Sequence, residues 1–210
     1  MNDAKKSFDE RAKEWDTPIK IDRSKKIAQL IIPMLPQGKP LKAMELGCGT
    51  GLVSYELKNQ FEEIALVDTS DGMLDVLNEK IARENLNHFH PILADVLQKP
   101  LGERFDIIYT VMTLHHIPDV KLALTKLYEM LTPGGIFFAA DLDKEDGSFH
   151  KPWEKVHHGF ERIELSAMCS ESGFVDVNFS TAYVMKRLGK WFKSKKYSIF
   201  LLRAIRPQIS

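Results

Sequence analysis

Met44-Glu45-Leu46-Gly47-Cys48-Gly49-Thr50-Gly51 is the stretch that decides how the chain reads. An apolar lead (Leu41, Ala43, Met44, Leu46) runs into three glycines at alternate positions. Leu52-Val53-Ser54-Tyr55-Glu56-Leu57 then resumes with apolar residues at helical spacing. The pattern is a strand, a turn too tight for side chains, and a helix start. Glycine suits such a turn because it tolerates positive φ and lets backbone N–H groups approach a ligand closely. The dinucleotide fingerprint G-x-G-x-x-G needs glycine at position 52, where the chain has Leu52, and no Gly-Lys-Ser/Thr follows as in a P-loop. A bare glycine turn is structural at least as often as functional, so the downstream spacing must decide.

The 210 residues fit one domain with a substantial core. Lys plus Arg equals Asp plus Glu, at 29 each, so no global field favours nucleic acid or a membrane. Two cysteines, Cys48 and Cys169, do not make a disulfide framework, which fits a reducing compartment. The N-terminus has no apolar h-region, and no apolar run approaches the ~18–20 residues that span a bilayer. A cytoplasmic protein without stable membrane insertion is the expectation.

Beyond position 41 strands and helices alternate. Ile64-Ala65-Leu66-Val67 has the continuous apolarity of a strand buried on both faces, and it ends in Asp68. Asp68 lies 21 residues after Gly47, close to the ~20 at which an acid meets a ribose in dinucleotide folds. Thr69-Ser70-Asp71-Gly72-Met73-Leu74 caps and begins a helix. Further strands are expected at Pro91–Ala94, ending in Asp95-Val96, at Phe105–Thr110, and at Ile136–Ala140, ending in Asp141. Between the last two, a helix through Val120, Leu124, Leu127 and Leu131 stops at Thr132-Pro133-Gly134-Gly135. Before the glycine turn, Phe8, Ala12 and Trp15 share one helical face, and a second helix is expected from about Asp22 to Leu35. Residues 142–160 are irregular and carry His150, Trp153, His157 and His158. A helix over Ile163–Ser172 and strands near Val175–Phe179 and Tyr197–Ile205 close the chain.

Together E-x-G-x-G-x-G, Asp68-x-Ser70-x-x-Met73-Leu74, the segment Leu114-His115-His116-Ile117-Pro118-Asp119 and Leu131-x-Pro133-Gly134-Gly135 resemble the class I S-adenosylmethionine-dependent methyltransferases. The opening Phe8-Asp9-x-Arg11-Ala12-x-x-Trp15-Asp16 is similar to the first helix of the small-molecule, ubiquinone/menaquinone-biosynthesis type, where it lies over the cofactor mouth. The resemblance covers roughly residues 8 to 205, densest over 44–141. It implies an α/β/α sandwich around a Rossmann-like, seven-stranded, mostly parallel sheet with an antiparallel C-terminal hairpin. One domain over 1–210 would divide into N-terminal capping helices (1–36), a cofactor-binding core (41–141), an acceptor-side insertion (142–162) and a C-terminal helix and hairpin (163–210).

The implied cofactor is S-adenosylmethionine, whose ammonium and sulfonium outweigh its one carboxylate and which has no phosphate. Glu45, Asp68, Asp95 and Asp141, gathered at one end of the strands, suit such a cation better than a nucleotide triphosphate, since open α/β sheets bind ligands outside those ends. The resemblance assigns Gly47, Gly49 and Gly51 to the methionine part, Asp68 to the ribose, and Met73, Asp95 and Val96 to the adenine, with Cys48 and Thr69 among the cofactor-binding residues. Glu45 joins the set, and Thr110 flanks the donor. A general base is needed only if the acceptor keeps its proton near neutral pH. His115, His157 and His158 are the candidates, while His116 reads as structural. No histidine spacing matches a standard metal signature, and none is expected to hold a metal.

The expected activity is methyl transfer to a small-molecule acceptor by in-line displacement, in a monomer or homodimer. Nucleic acid is not the expected acceptor, since Thr110-Val111-Met112-Thr113 follows strand four in place of Asn/Asp-Pro-Pro-Tyr/Phe. The rivals are an NAD-type oxidoreductase, opposed by Leu52, and a module that binds the cofactor without turnover. The run 186–196 has six bases and no acid and reads as a solvated hairpin loop.

Overall fold

The computed structural model describes residues 2–188 and 194–208. Seven strands form one sheet: β1 (Lys42–Leu46), β2 (Glu63–Asp68), β3 (Phe89–Leu93), β4 (Phe105–Val111), β5 (Leu131–Leu142), β6 (Val175–Leu188) and β7 (Ser194–Ile205). Their order is β3-β2-β1-β4-β5-β7-β6. The pairs β1–β2, β2–β3, β1–β4 and β4–β5 are parallel, and β7 runs antiparallel to both β5 and β6. Helices α1 (Asn2–Arg11), α2 (Pro18–Ile31), α3 (Leu52–Glu56), α4 (Asp71–Glu84), α5 (Val120–Met130) and α6 (Arg162–Glu171) connect and cover the strands.

The pleat sorts the core. Ala43 of β1 joins an apolar cluster with Ile27, Ala28 and Ile31 of α2. Its neighbours Met44 and Leu46 face the other way, into a cluster with Leu124 and Leu127 of α5. Burial on both faces is why the central strands are continuously apolar. Register then levels the strand ends: Leu46 pairs with Val67 and with Thr110, and Asp68 pairs with Leu93. The loops after β1, β2, β3 and β4 therefore open on one edge. The crossover direction reverses between β1 and β4, the place where open α/β sheets form a crevice.

Several boundaries differ from expectation. α2 starts at Pro18, whose fixed φ suits a first helical position, and not near Asp22. β3 begins at Phe89, not Pro91, with Phe89 paired to Ile64. Residues 132–135, expected to be a helix stop, lie inside β5, because Leu131 already pairs with Phe105. The expected loop at 186–196 is strand at its margins: Arg187 pairs with Lys195, and residues 189–193 lie outside the described set. No helix among the described residues is long and apolar enough to cross a membrane.

Candidate active site

A cavity of about 390 Å³ opens at this crevice. Its floor is the glycine turn. The N–H groups of Gly47 and Cys48 donate to the Val67 carbonyl at 2.8 and 3.0 Å, tying the turn to β2. Gly47 has φ +69°, and a Cβ there would fall 2.4 Å from the Thr113 side chain, so only glycine lets the loop after β4 close against the turn. At Gly49 (φ +54°) a Cβ would project between Trp15 and Met73, into space the cavity uses. Gly51 stands outside the lining, at the left-handed cap of α3.

Asp68, at the end of β2, accepts from the Gly49 N–H at 2.7 Å with Oδ2 and from the Ser70 N–H at 2.9 Å with Oδ1. Burial raises its pKa, against the pull of these N–H donors. Asp95 lines the cavity while capping its own turn, accepting from the Leu97 N–H at 3.1 Å and from Gln98 Nε2 at 2.8 Å. Glu45, Cys48, Thr69, Met73 and Val96 complete the expected lining. Thr110 does not join it, because its buried hydroxyl donates to the Leu46 carbonyl at 2.9 Å.

The four acids are thus not equivalent. Asp141 is fully buried and absent from the cavity wall, with its carboxylate spent on His115. Glu45 accepts from Ser54 Oγ, which also meets Tyr109 at 2.5 Å. Burial, helped by the nearby Asp68, pushes the Glu45 carboxyl up to about 8, so it is mostly protonated at neutral pH. Its folded pKa therefore lies above the unfolded value of 4.5. The folded state holds this proton more tightly, so the stabilisation is complete below pH ~4.5 and is lost as pH rises towards ~8. Urea unfolding of wild type is expected to lose about 1–3 kcal/mol between pH 5.5 and 7.5 relative to Glu45→Gln, which cannot titrate. Parallel stability profiles would remove Glu45 as the cause.

An N-terminal segment roofs the cavity. Phe8 and Trp15 line it, their rings edge-on at 5.6 Å. Asp9 Oδ1 accepts from Ser70 Oγ at 2.5 Å and from the Gly72 N–H at 3.1 Å. Asp16 accepts from Thr50 Oγ1 at 2.5 Å and pairs with Lys80 at 2.5 Å. The segment is therefore stapled to the glycine turn and to α4. Behind it stands Arg23 of α2, only 8% exposed, lining the cavity with no hydrogen-bond partner for its Nε among the described residues. Burial lowers its pKa to about 10, which still leaves it cationic. The sequence reading missed Arg23, although it sits one helical turn before Ile27 on the inward face.

The histidines are arranged differently from expectation. His115, expected to line an acceptor pocket, is 2% exposed and bonds through Nδ1 to Asp141 at 2.6 Å. His116, read as structural, lines the cavity instead, and burial lowers its pKa to about 3, so its ring is neutral. His157 is a strut: its N–H donates to the His115 carbonyl at 2.8 Å, and its Nε2 lies 3.0 Å from the Ile117 carbonyl. His158 is exposed and packs over Gly147. Residues 157–158 are not helical, in keeping with the irregular segment expected there.

Comparison with known proteins agrees with this geometry. The family model described as a methyltransferase domain matches residues 44–139, the span from the glycine turn to β5. Over that span the chain is similar to a methyltransferase domain. The chain is 33% identical over 118 residues to an uncharacterised methyltransferase of Schizosaccharomyces pombe, covering 52% of this chain and 42% of that protein. It is 27% identical over 166 residues to the malonyl-[acyl-carrier protein] O-methyltransferase of Priestia megaterium, covering 77% and 58%. The chain thus spans about half the length of the curated relatives it matches. The phosphoethanolamine N-methyltransferase 2 of Haemonchus contortus, solved with S-adenosyl-L-methionine, shares the fold at a TM-score of 0.71, with 14% identity over 87% of this chain and 52% of that one. The cavity lies where the matched residues converge, with Arg23, Phe8 and Trp15 contributed from outside the matched span.

Proposed function

We propose that the chain transfers a methyl group from S-adenosylmethionine to a small-molecule acceptor by in-line displacement. The observation that carries this reading is the charge layout of one cavity: carboxylates at Asp68 and Asp95, a protonated Glu45, and a buried cation, Arg23, whose Nε has no hydrogen-bond partner among the described residues. A ligand with an adenosine, an ammonium and a single carboxylate matches that layout. A pyrophosphate would place extra negative charge against the Asp68 carboxylate.

When bound, the donor supplies a methyl group already made electrophilic by the sulfonium, so the protein's part is alignment and exclusion of water. In this reading Asp68 accepts from the ribose hydroxyls with the lone pairs that Gly49 and Ser70 leave free. Asp95, Val96 and Met73 receive the adenine, and Gly49 gives the methionine chain room. Arg23 holds the donor's carboxylate. Met112, Thr113, His116, Ile117 and Pro118 form the acceptor wall, stapled by Phe8 and Trp15 on the other side. His115, fixed by Asp141, and His157, bracing the turn from 115 to 118, act as positioning residues.

Incubating the purified chain with S-adenosylmethionine and a deproteinised small-metabolite extract should yield S-adenosylhomocysteine well above the extract-free rate. Production with added nucleic acid or protein, and none with the extract, would overturn the small-molecule reading.

A further inference from the structure

We propose a divalent transition-metal site made by His115, His116 and His150 on the acceptor side of the cavity. One ligand-capable atom from each of the three lies within 4.8 Å of the other two. The ring centroids of His115 stand 4.2 Å from His116 and 4.7 Å from His150. The cluster unites a tight turn after β4 (Leu114–His116) with the irregular segment after β5.

Two further observations point to a ligand. Both ring nitrogens of His150 are sealed from solvent with no hydrogen-bond partner among the described residues. An orphaned buried nitrogen costs free energy unless something supplies its missing partner, and an ion held between the three rings would supply it to one of the two. The nearest carboxylate to His150, that of Glu154, is 3.8 Å away, beyond hydrogen-bonding reach. Second, His115 gives Nδ1 to Asp141 at 2.6 Å, which leaves Nε2 as the nitrogen available to an ion. A carboxylate behind a histidine, fixing tautomer and ring orientation, is the usual outer support of a metal-ligating imidazole.

Three imidazole nitrogens without a thiolate suit Zn²⁺ or a neighbouring first-row ion, with Zn–N near 2.0–2.1 Å. Ligands of a tetrahedral ion stand about 3.4 Å apart, so binding would draw the rings together by about an ångström. Three protein ligands leave a fourth position open, as at catalytic rather than structural zinc. Through His116 that position adjoins the cavity, where an acceptor oxygen could bind and lose its proton more readily. Only this use rests on the methyl-transfer reading; the binding of the ion does not.

The probe is Co²⁺ alone, titrated into chelator-stripped full chain and followed by visible absorption, with Zn²⁺ as competitor. The expected result is one equivalent of Co²⁺ with the intense bands of four-coordination, displaced by Zn²⁺. His150→Gln should weaken binding at least tenfold, while His90→Ala, a surface control, leaves it unchanged. Retention of the pale aquo spectrum by wild type, which requires no variant to fold, would overturn the site. So would equal affinity in a folded His150→Gln, and the orphaned nitrogens would then belong to water.

Discussion

Asp68→Ala is expected to raise the dissociation constant for S-adenosylmethionine at least tenfold, measured by calorimetry. A hydrogen bond to a charged group contributes roughly 1.5–3 kcal/mol, and 1.4 kcal/mol is a factor of ten. Two ribose hydroxyls meeting one carboxylate therefore make tenfold the conservative figure. The carboxylate also accepts from the Gly49 and Ser70 N–H groups, so the alanine loosens the glycine turn as well. Asp68→Asn separates the two effects. It keeps the shape and one acceptor but removes the charge, and its loss of affinity should lie between wild type and alanine. Unchanged affinity in the alanine variant would refute the ribose assignment.

Arg23→Ala should weaken S-adenosylhomocysteine about tenfold or more and leave 5′-methylthioadenosine within about twofold. The second ligand keeps the adenosine and the sulfur but lacks the amino-acid carboxylate that a buried guanidinium would hold. The alanine loses no hydrogen bond from Nε, though it does remove the charge that faces Asp141, so a thermal melt of the variant accompanies the titrations. Equal losses for both ligands would make Arg23 a packing residue. No loss for either would assign it to the acceptor.

The cofactor half of this site was legible because its signals are local. A glycine turn needs consecutive residues, and an acid at a strand end is displaced from it by one helix and one strand, so spacing along the chain reports spacing in the fold. That is why the structure brings Gly47, Gly49, Asp68, Met73 and Asp95 to one cavity. Asp141 looked equivalent to the other acids from its place at a strand end. Its partner, His115, comes from the preceding crossover, and that pairing takes it out of the cavity. The histidines were harder still. Which of two adjacent rings faces the cavity depends on the tight turn at Leu114–His116, a matter of one residue that apolar periodicity does not resolve. Arg23 had a readable signal, a cation on an apolar helical face, and its importance emerged only with its burial.

Calorimetric titration of the wild-type chain with S-adenosylmethionine, set beside NAD⁺, is the most direct test. One site with micromolar affinity for the methyl donor and no detectable heat with NAD⁺ is the predicted result. Silence towards the donor at millimolar concentration, or a preference for NAD⁺, would contradict the assignment of this cavity.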